Sequence, residues 1–377
     1  MGKTGFQAYL VGGCVRDLLL KHKPKDWDIA TNAKPEEIQK IFPESIYENT
    51  FGTVGVKTAA LEEGEPRPKG RESQDSTLKV IEITTFRREE KYSDLRHPDK
   101  IEFAKTIEED LARRDFTVNA LALNIGASDA PNINVNNRTS DVQNIVDPFN
   151  GQADLKNKLI RAVGDPDKRF SEDALRLMRA VRFTAELNFQ IETKTAEAIL
   201  KNAEKLSAIS KERIRDELQK IILTEHAAEA VEQLQKLNLL KHIIPELEEG
   251  IGIMQNKHHT FAVWDHNLRS LDYAAKKNYS LEIRLASLLH DVAKPRAKRG
   301  EGPDSTFYGH EIVGARMTSK ILERLRFSKK IIEKVVKLVR VKSKEPSLKF
   351  SIGKENMKDE EIAENIIVAY NAVLNSL

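Results

Sequence analysis

Between Tyr9 and Asp28 a short apolar run, Tyr9-Leu10-Val11, enters a Gly12-Gly13 turn and then a segment opening with Arg16 and Asp17. Asp26-Trp27-Asp28 follows. The pattern reads as strand, glycine turn, helix and second strand. Glycines let the backbone approach a ligand closely, and the first N–H groups of a helix can hold a phosphate. In an extended segment the i, i+2 spacing of Asp26 and Asp28 puts both carboxylates on one face and Trp27 on the other. Two carboxylates beside a phosphate cradle make a seat for Mg²⁺. A Gly-Gly turn or an Asp-x-Asp alone is commonplace. Their order is what constrains the chain.

At 377 residues the chain is too long for one core, so two or three domains are expected. Residues 1–150 alternate strand and helix signals. Strands are expected over Gln7–Val11, Asp26–Thr31, Thr53–Thr58, Lys79–Phe86 and Ala120–Ile125, and helices over Lys34–Ile41 and Ile107–Arg114. The polar stretches Leu61–Thr77 and Gly126–Asp141 read as loops. Helical periodicity dominates 151–250, in Glu172–Leu187, Thr193–Leu206, Lys211–Leu223 and Ala227–Leu237. A second helical block, 251–377, carries His258, His259, His266, His290 and His310. The expected fold class is multidomain, a mixed α/β head followed by two all-α parts.

Composition narrows the function classes. No apolar run approaches the roughly 20 residues of a membrane span and no signal-peptide pattern opens the chain, so a cytoplasmic protein is expected. The single cysteine, Cys14, excludes an internal disulfide framework and reads as a small buried residue. A net charge of +3 is no nucleic-acid footprint by itself, so any such contact must use a locally basic surface.

Two further groups carry chemistry. Arg113-Arg114-Asp115-Phe116-Thr117-Val118-Asn119-Ala120 follows an acidic helix, whose end alone would favour two arginines. Phe170-Ser171-Glu172-Asp173-Ala174-Leu175-Arg176 begins a helix in which Ser171 is the expected N-cap, with Glu172 and Asp173 in the first turn. On one continuous helix Glu172, Asp173, Arg176 and Arg179 share an arc of about 120°. An ordinary amphipathic surface helix with ion pairs accounts for that arc equally well. The sharper reading is base selection. A carboxylate only accepts hydrogen bonds and a guanidinium only donates them. Asp173 beside Arg176 therefore fits an edge with an amino donor next to a ring nitrogen, as in cytosine and adenine. Uracil and guanine reverse both contacts, which costs about 1–3 kcal/mol per unpaired buried group.

These segments together resemble the class II nucleotidyltransferase family of tRNA nucleotidyltransferases and bacterial poly(A) polymerases. The resemblance rests on "YLVGGCVRDLLL…KDWDIAT", on "RRDFTxNA" at Arg113–Ala120 and on "EDxxR" at Glu172–Arg176. It implies template-independent addition of C, C and A, from CTP and ATP, to the 3′ end of tRNA. Asp26 and Asp28 would be the catalytic carboxylates holding Mg²⁺. Gly12, Gly13 and Arg16 would cradle phosphates, with Arg113 and Arg114 on the triphosphate or ribose, and Asp173, Arg176 and Arg179 on the nucleotide. Tyr92–Pro98 resembles the flexible loop used for the adenosine step. Glu82 is either a third carboxylate or a solvent-facing strand residue. Lys211, Arg213 and Arg215 either bind the acceptor arm or are solvated surface charge.

The block from Gln255 to His310 resembles an HD phosphohydrolase domain, which implies a second divalent-metal site at His266, His290, Asp291 and His310. Lys342 stands where a further histidine is often found and no convincing closing aspartate follows. The set is therefore incomplete for a binuclear hydrolase, and a helical domain kept for RNA contact or dimerisation is favoured. Poly(A) polymerase, addition of only C,C or only A, and a metal-dependent phosphohydrolase remain as alternatives, and monomer and homodimer are both open. Phe51-Gly52-Thr53-Val54-Gly55-Val56 resembles the tRNA enzymes rather than the polymerases.

Overall fold

The computed structural model describes residues 5–47, 52–58, 79–90, 100–125, 144–255 and 261–341. The segment Tyr92–Pro98, both polar loops, His258, His259 and Lys342 lie outside the described residues. The chain divides into two compact units, Met1–Glu172 and Asp173–Leu377.

In the first unit, β1 (Ala8–Val11) leads through Gly12 into α1 (Gly13–Leu19), then β2 (Asp28–Thr31), α2 (Pro35–Ile41), β3 (Ile46–Tyr47), β4 (Thr53–Thr58) and β5 (Lys79–Thr85). A hairpin of β6 (Arg87–Glu90) and β7 (Lys100–Phe103) precedes α3 (Ile107–Ala112), β8 (Ala122–Asn124) and β9 (Ile145–Val146). Seven strands form a sheet in the order β3-β4-β5-β2-β1-β8-β9. Strand β1 is antiparallel to β2 and β8, and β2 is parallel to β5.

Residue alternation feeds two cores. Tyr9, Val11, Ala30, Phe86, Leu111 and Ala122 pack together, whereas Ile38, Val54, Val56 and Ile83 form a separate cluster with Ile29 against it. With apolar cover on both sides, β1 is buried at every position. Strand β2 is shorter than expected: it starts at Asp28, so Asp26 lies outside it and the simple i, i+2 argument does not fix Asp26's direction.

Two helices after residue 150 belong to this unit, α4 (Gly151–Lys156) and α5 (Pro166–Glu172). The Thr117 hydroxyl donates to Asp154 Oδ2 at 2.6 Å. A Cβ at Gly151 would fall 2.2 Å from the Thr117 carbonyl oxygen, so only glycine permits this approach.

The second unit is helical: α6 (Leu175–Leu187), α7 (Thr193–Asn202), α8 (Lys211–Ile222), α9 (Ala227–Lys236), α10 (Pro245–Glu248), α11 (Val263–Lys276), α12 (Leu281–Leu289), α13 (Lys294–Ala297), α14 (His310–Arg324) and α15 (Lys329–Val341). The helix expected over Glu172–Leu187 is corrected here. Asp165-Pro166 starts an earlier helix, with Asp165 Oδ1 accepting from the Asp167 N–H at 3.0 Å. Ser171 sits inside that helix, donating to the Asp167 carbonyl at 2.8 Å, so it is not an N-cap. Glu172 ends α5, and α6 begins only at Leu175.

Arg284 knits this unit together at 1% exposure. Its guanidinium donates to the carbonyls of Ile222, Thr224, Ala275 and Tyr279 and to Asn278 Oδ1, at 2.7–3.3 Å. Helix ends leave carbonyls without intrahelical partners, and one planar fork serves the ends of α8 and α11 at once. Burial pulls the guanidinium below its ordinary pKa.

Candidate functional site

The register Leu10↔Ile29 sets the end of β1, and hence the Gly12-Gly13 turn, beside the start of β2 at Asp28. The Cys14 thiol, buried behind the turn, donates to the Val11 carbonyl at 3.2 Å, with the Asp28 carbonyl at 3.8 Å. Burial raises the pKa of this thiol, in keeping with a packing residue rather than a nucleophile.

Gly12 adopts φ 75°, and a Cβ there would lie 2.5 Å from Arg114 Nη1. Glycine thus provides both the left-handed backbone and the space into which Arg114 reaches. Arg114 is anchored by Asp110, 3.5 Å from Oδ2, while Arg113 lies 2.9 Å from Oδ1. Burial opposes ionisation of Asp110, yet the two arginines and its hydrogen bonds hold its carboxyl below the ordinary range. Arg16 Nη1 donates to Asn119 Oδ1 at 2.9 Å, and Asn119 Nδ2 donates to Asp115 Oδ1 at 3.4 Å. The glycine-turn motif and the Arg113–Ala120 motif thereby interlock, with Asn119 as a joining residue that the sequence reading did not single out.

Asp28 is partly buried, and burial pushes its carboxyl above the ordinary range; Arg114 opposes that shift and Asp26 adds to it. The two aspartates therefore share one electrostatic neighbourhood with Arg114. Asp28 is also the register partner of Glu82 on the adjacent parallel strand β5, so both side chains leave the same face of the sheet. Asp28 and the exposed Glu82 on one sheet face, with Asp26 in the field of Asp28, are oxygen donors of the kind a hard divalent cation takes, beside an arginine-lined glycine turn. Gly12, Gly13, Arg16, Asp28 and Arg114 are brought together, with Asp26 at their edge and Arg113 tied in through Asp110.

In the second unit, Asp173 lies in the break before α6. Its Oδ1 accepts from the Leu175 N–H at 3.0 Å, and its Oδ2 accepts from Arg213 Nη2 at 2.7 Å. Arg176 is buried at 8% exposure, and Arg179 lies 5.3 Å from the Phe183 ring. Arg176 and Arg179 are i, i+3 neighbours on α6. Arg182 is structural, pairing with Glu217 at 2.7 Å and Glu186 at 3.0 Å. Arg213 was read as an RNA-contact or surface residue, but it holds Asp173. Arg215 donates to the Arg326 carbonyl at 2.6 Å. No sequence signal marks a partnership across 40 residues.

The histidine cluster converges on Asp291, which is wholly buried. His266 Nε2 and His290 Nε2 lie 3.3 and 3.2 Å from Asp291 Oδ2 and 3.1 Å from each other. His310 Nε2 lies 3.4 Å from Oδ1. His290 Nδ1 is 2.8 Å from the Ser287 carbonyl and His310 Nδ1 is 2.7 Å from the Phe307 carbonyl. A carbonyl only accepts, so both Nδ1 atoms carry a proton, and in a neutral ring each Nε2 turns its lone pair toward the carboxylate. Lone pairs facing lone pairs fit a cation between them, with the carbonyls orienting the ligands from behind. His266, His290 and Asp291 each offer an atom within 4.8 Å of the others.

Comparison with known proteins follows the same division. Residues 8–161 match the family described as poly A polymerase head domain, 188–251 the probable RNA- and SrmB-binding site of polymerase A, and 263–370 the HD domain. The CCA-adding enzyme of Lactobacillus helveticus is 47% identical over 228 residues, covering 60% of this chain and 49% of that protein. That of Leuconostoc mesenteroides is 37% identical over 287 residues, covering 73% and 62%. This chain thus spans about half the length of several curated relatives it matches. Among solved structures, the Bacillus stearothermophilus CCA-adding enzyme in complex with CTP aligns at TM-score 0.64 and 28% identity, over 98% of this chain and 75% of that one. The Thermotoga maritima CCA-adding enzyme complexed with tRNA, at 20% identity and TM-score 0.57, shares the fold. Among the described residues, no helix is long and apolar enough to cross a membrane.

Proposed function

We propose that this chain, which belongs to the tRNA nucleotidyltransferase/poly(A) polymerase family and carries a C-terminal HD domain, adds C, C and A to the 3′ end of tRNA. The observation that carries the reading is Asp28 set beside Glu82 on one sheet face, within the field of Asp26 and of the Arg114 that fills the space over Gly12. The proposed head, 1–150, is continued by α4 and α5, which belong to the same compact unit; the rest of the helical body runs to 250 and the HD-like part covers 251–377.

Asp26 and Asp28 would hold Mg²⁺, with Glu82 as a third carboxylate on the sheet face of Asp28. Such an ion would supply positive charge against the triphosphate and acidify the terminal 3′-hydroxyl, whose oxygen would attack the α-phosphate in line as pyrophosphate leaves. The Gly12-Gly13 backbone and Arg16 cradle phosphates, and Arg114, with Arg113 behind it, adds fixed positive charge where the leaving group develops negative charge. Asp173 and Arg176 read the donor–acceptor edge shared by cytosine and adenine, with Arg179 beside them on α6. The fixed Asp173 carboxylate accepts the exocyclic amino proton and Arg176 donates to the ring nitrogen. The substrates are CTP, ATP and a tRNA acceptor end, encountered in the cytoplasm.

Purified protein incubated with Mg²⁺, CTP, ATP and tRNA lacking its terminal CCA tests this. Three added nucleotides in the order C, C, A support it. Long A tails without C incorporation identify a poly(A) polymerase instead, and addition of only C,C or only A identifies a partial enzyme.

A second reading concerns the HD-like part. The convergence of His266, His290 and His310 on Asp291 supports a divalent-metal site there. Phosphatase or cyclic phosphodiesterase activity that survives Asp28→Asn and is lost in His266→Ala would give that site a hydrolytic role of its own.

A further inference from the structure

The Asp291 carboxylate serves another partner besides the imidazoles. Lys294, the first residue of α13 and 4% exposed, places its Nζ 2.7 Å from the same Oδ2 that His266 and His290 face. It also donates to Gln255 Oε1 and lies 5.7 Å from the centroid of the Phe307 ring. Gln255 is buried in turn and donates to the Phe261 carbonyl at 3.1 Å. An ammonium held by a carboxylate, an amide oxygen and a ring face is a fixed positive charge rather than a wandering surface lysine.

This matters for the charge of the ligand set. The imidazoles contribute none and Asp291 contributes one negative charge. With Lys294 in contact, the local sum facing an incoming ion is zero rather than minus one. An ion bound to that carboxylate would have to share it with the ammonium, a few ångströms away in a buried site where charges are weakly screened. We propose that Lys294 acts as the cluster's resident cation: it loosens the hold of His266, His290 and Asp291 on a divalent ion. This rests on the reading that the cluster binds metal. It adds a residue that sets affinity from outside the ligand set.

The test uses full-length protein carrying Asp28→Asn to silence the head site, stripped of metal and titrated with Co²⁺. Stoichiometry comes from metal analysis, affinity from calorimetry, and imidazole ligation from the visible Co²⁺ absorption, which His266→Ala should abolish. Lys294→Met and Lys294→Gln should each bind Co²⁺ at least ~10-fold more tightly, whereas Lys294→Arg stays within about threefold of the parent because the charge remains. Far-UV circular dichroism establishes that each variant is folded, and the polar Gln variant guards against misfolding of the Met one. Unchanged or weaker binding in a folded neutral variant overturns the role of Lys294 while leaving the metal site standing. No ion and no visible band in any of these proteins overturns the metal-site reading, and this inference with it.

Discussion

Replacing Arg284 by methionine tests how the helical unit is held together. The guanidinium makes five hydrogen bonds, four of them to main-chain carbonyls, and the side chain is 1% exposed. Methionine keeps most of the volume and none of the donors, so the carbonyls of Ile222, Thr224, Ala275 and Tyr279 lose a partner that water cannot readily replace. A buried acceptor stranded in this way costs about 1–3 kcal/mol. Removing the guanidinium also removes its own desolvation cost, which offsets part of the loss. A net destabilisation of about 3–5 kcal/mol is expected, in the range for breaking a buried charged network. For a unit of this size that lowers Tm by about 2–4 °C per kcal/mol. The chain has two tryptophans, Trp27 in the first unit and Trp264 in α11, so a Trp27→Phe background makes Trp264 fluorescence report on the helical unit alone. Urea unfolding gives the free energy and a thermal scan gives Tm. A loss under about 1 kcal/mol would show that the carbonyls find other donors, and would refute the reasoning.

Other outcomes follow from the two regions proposed to handle the nucleotide. Arg213→Met frees Asp173 Oδ2, so the kcat/KM preference for CTP over UTP should fall about 5- to 100-fold, the equivalent of one misaligned hydrogen bond; an unchanged ratio refutes the positioning role. Gly12→Ala should cut nucleotide incorporation at least about 10-fold, through strain at φ 75° and displacement of Arg114, with helical circular dichroism preserved. The Asp28 carboxyl is raised in the folded protein, so the ionised form is disfavoured there relative to the unfolded chain. The head accordingly gains stability as pH falls through the raised value, while Mg²⁺, which needs the ionised form, is lost over the same window. Carboxyl ¹³C titration of metal-free protein should show the Asp28 midpoint moving up in Arg114→Gln and down in Asp26→Asn, and the reverse order would contradict the assigned neighbourhood.

Much of the head was legible because strands with two apolar covers are written in β-branched residues. The starts of β4 and β5 fall where Thr53 and Lys79 predict them. Asp28 and the glycine turn were legible for a related reason, since few backbones need glycines and paired carboxylates in that order. The break at Asp173 was not. Ser171 looks like a cap, and only the Asp165-Pro166 pair upstream signals that a helix is already under way. The partner of Asp173 was hidden because Arg213, 40 residues on, reads like any basic residue on a polar helix face. Lys294 was within reach, three residues after Asp291, but spacing alone cannot tell a buried ammonium from an exposed one.

Helix α8 is gripped at both ends. Near its start Arg213 holds Asp173, and at its close Ile222 gives its carbonyl to Arg284. Nine residues of helical rise separate the two grips, a strut of about 14 Å. Loosening the far anchor would let the near one swing, so, if Asp173 selects the base as proposed, the fidelity of that choice becomes a property of how firmly the histidine-bearing helices are seated. Trimming those helices to obtain a smaller catalyst would then surrender accuracy before it surrendered turnover.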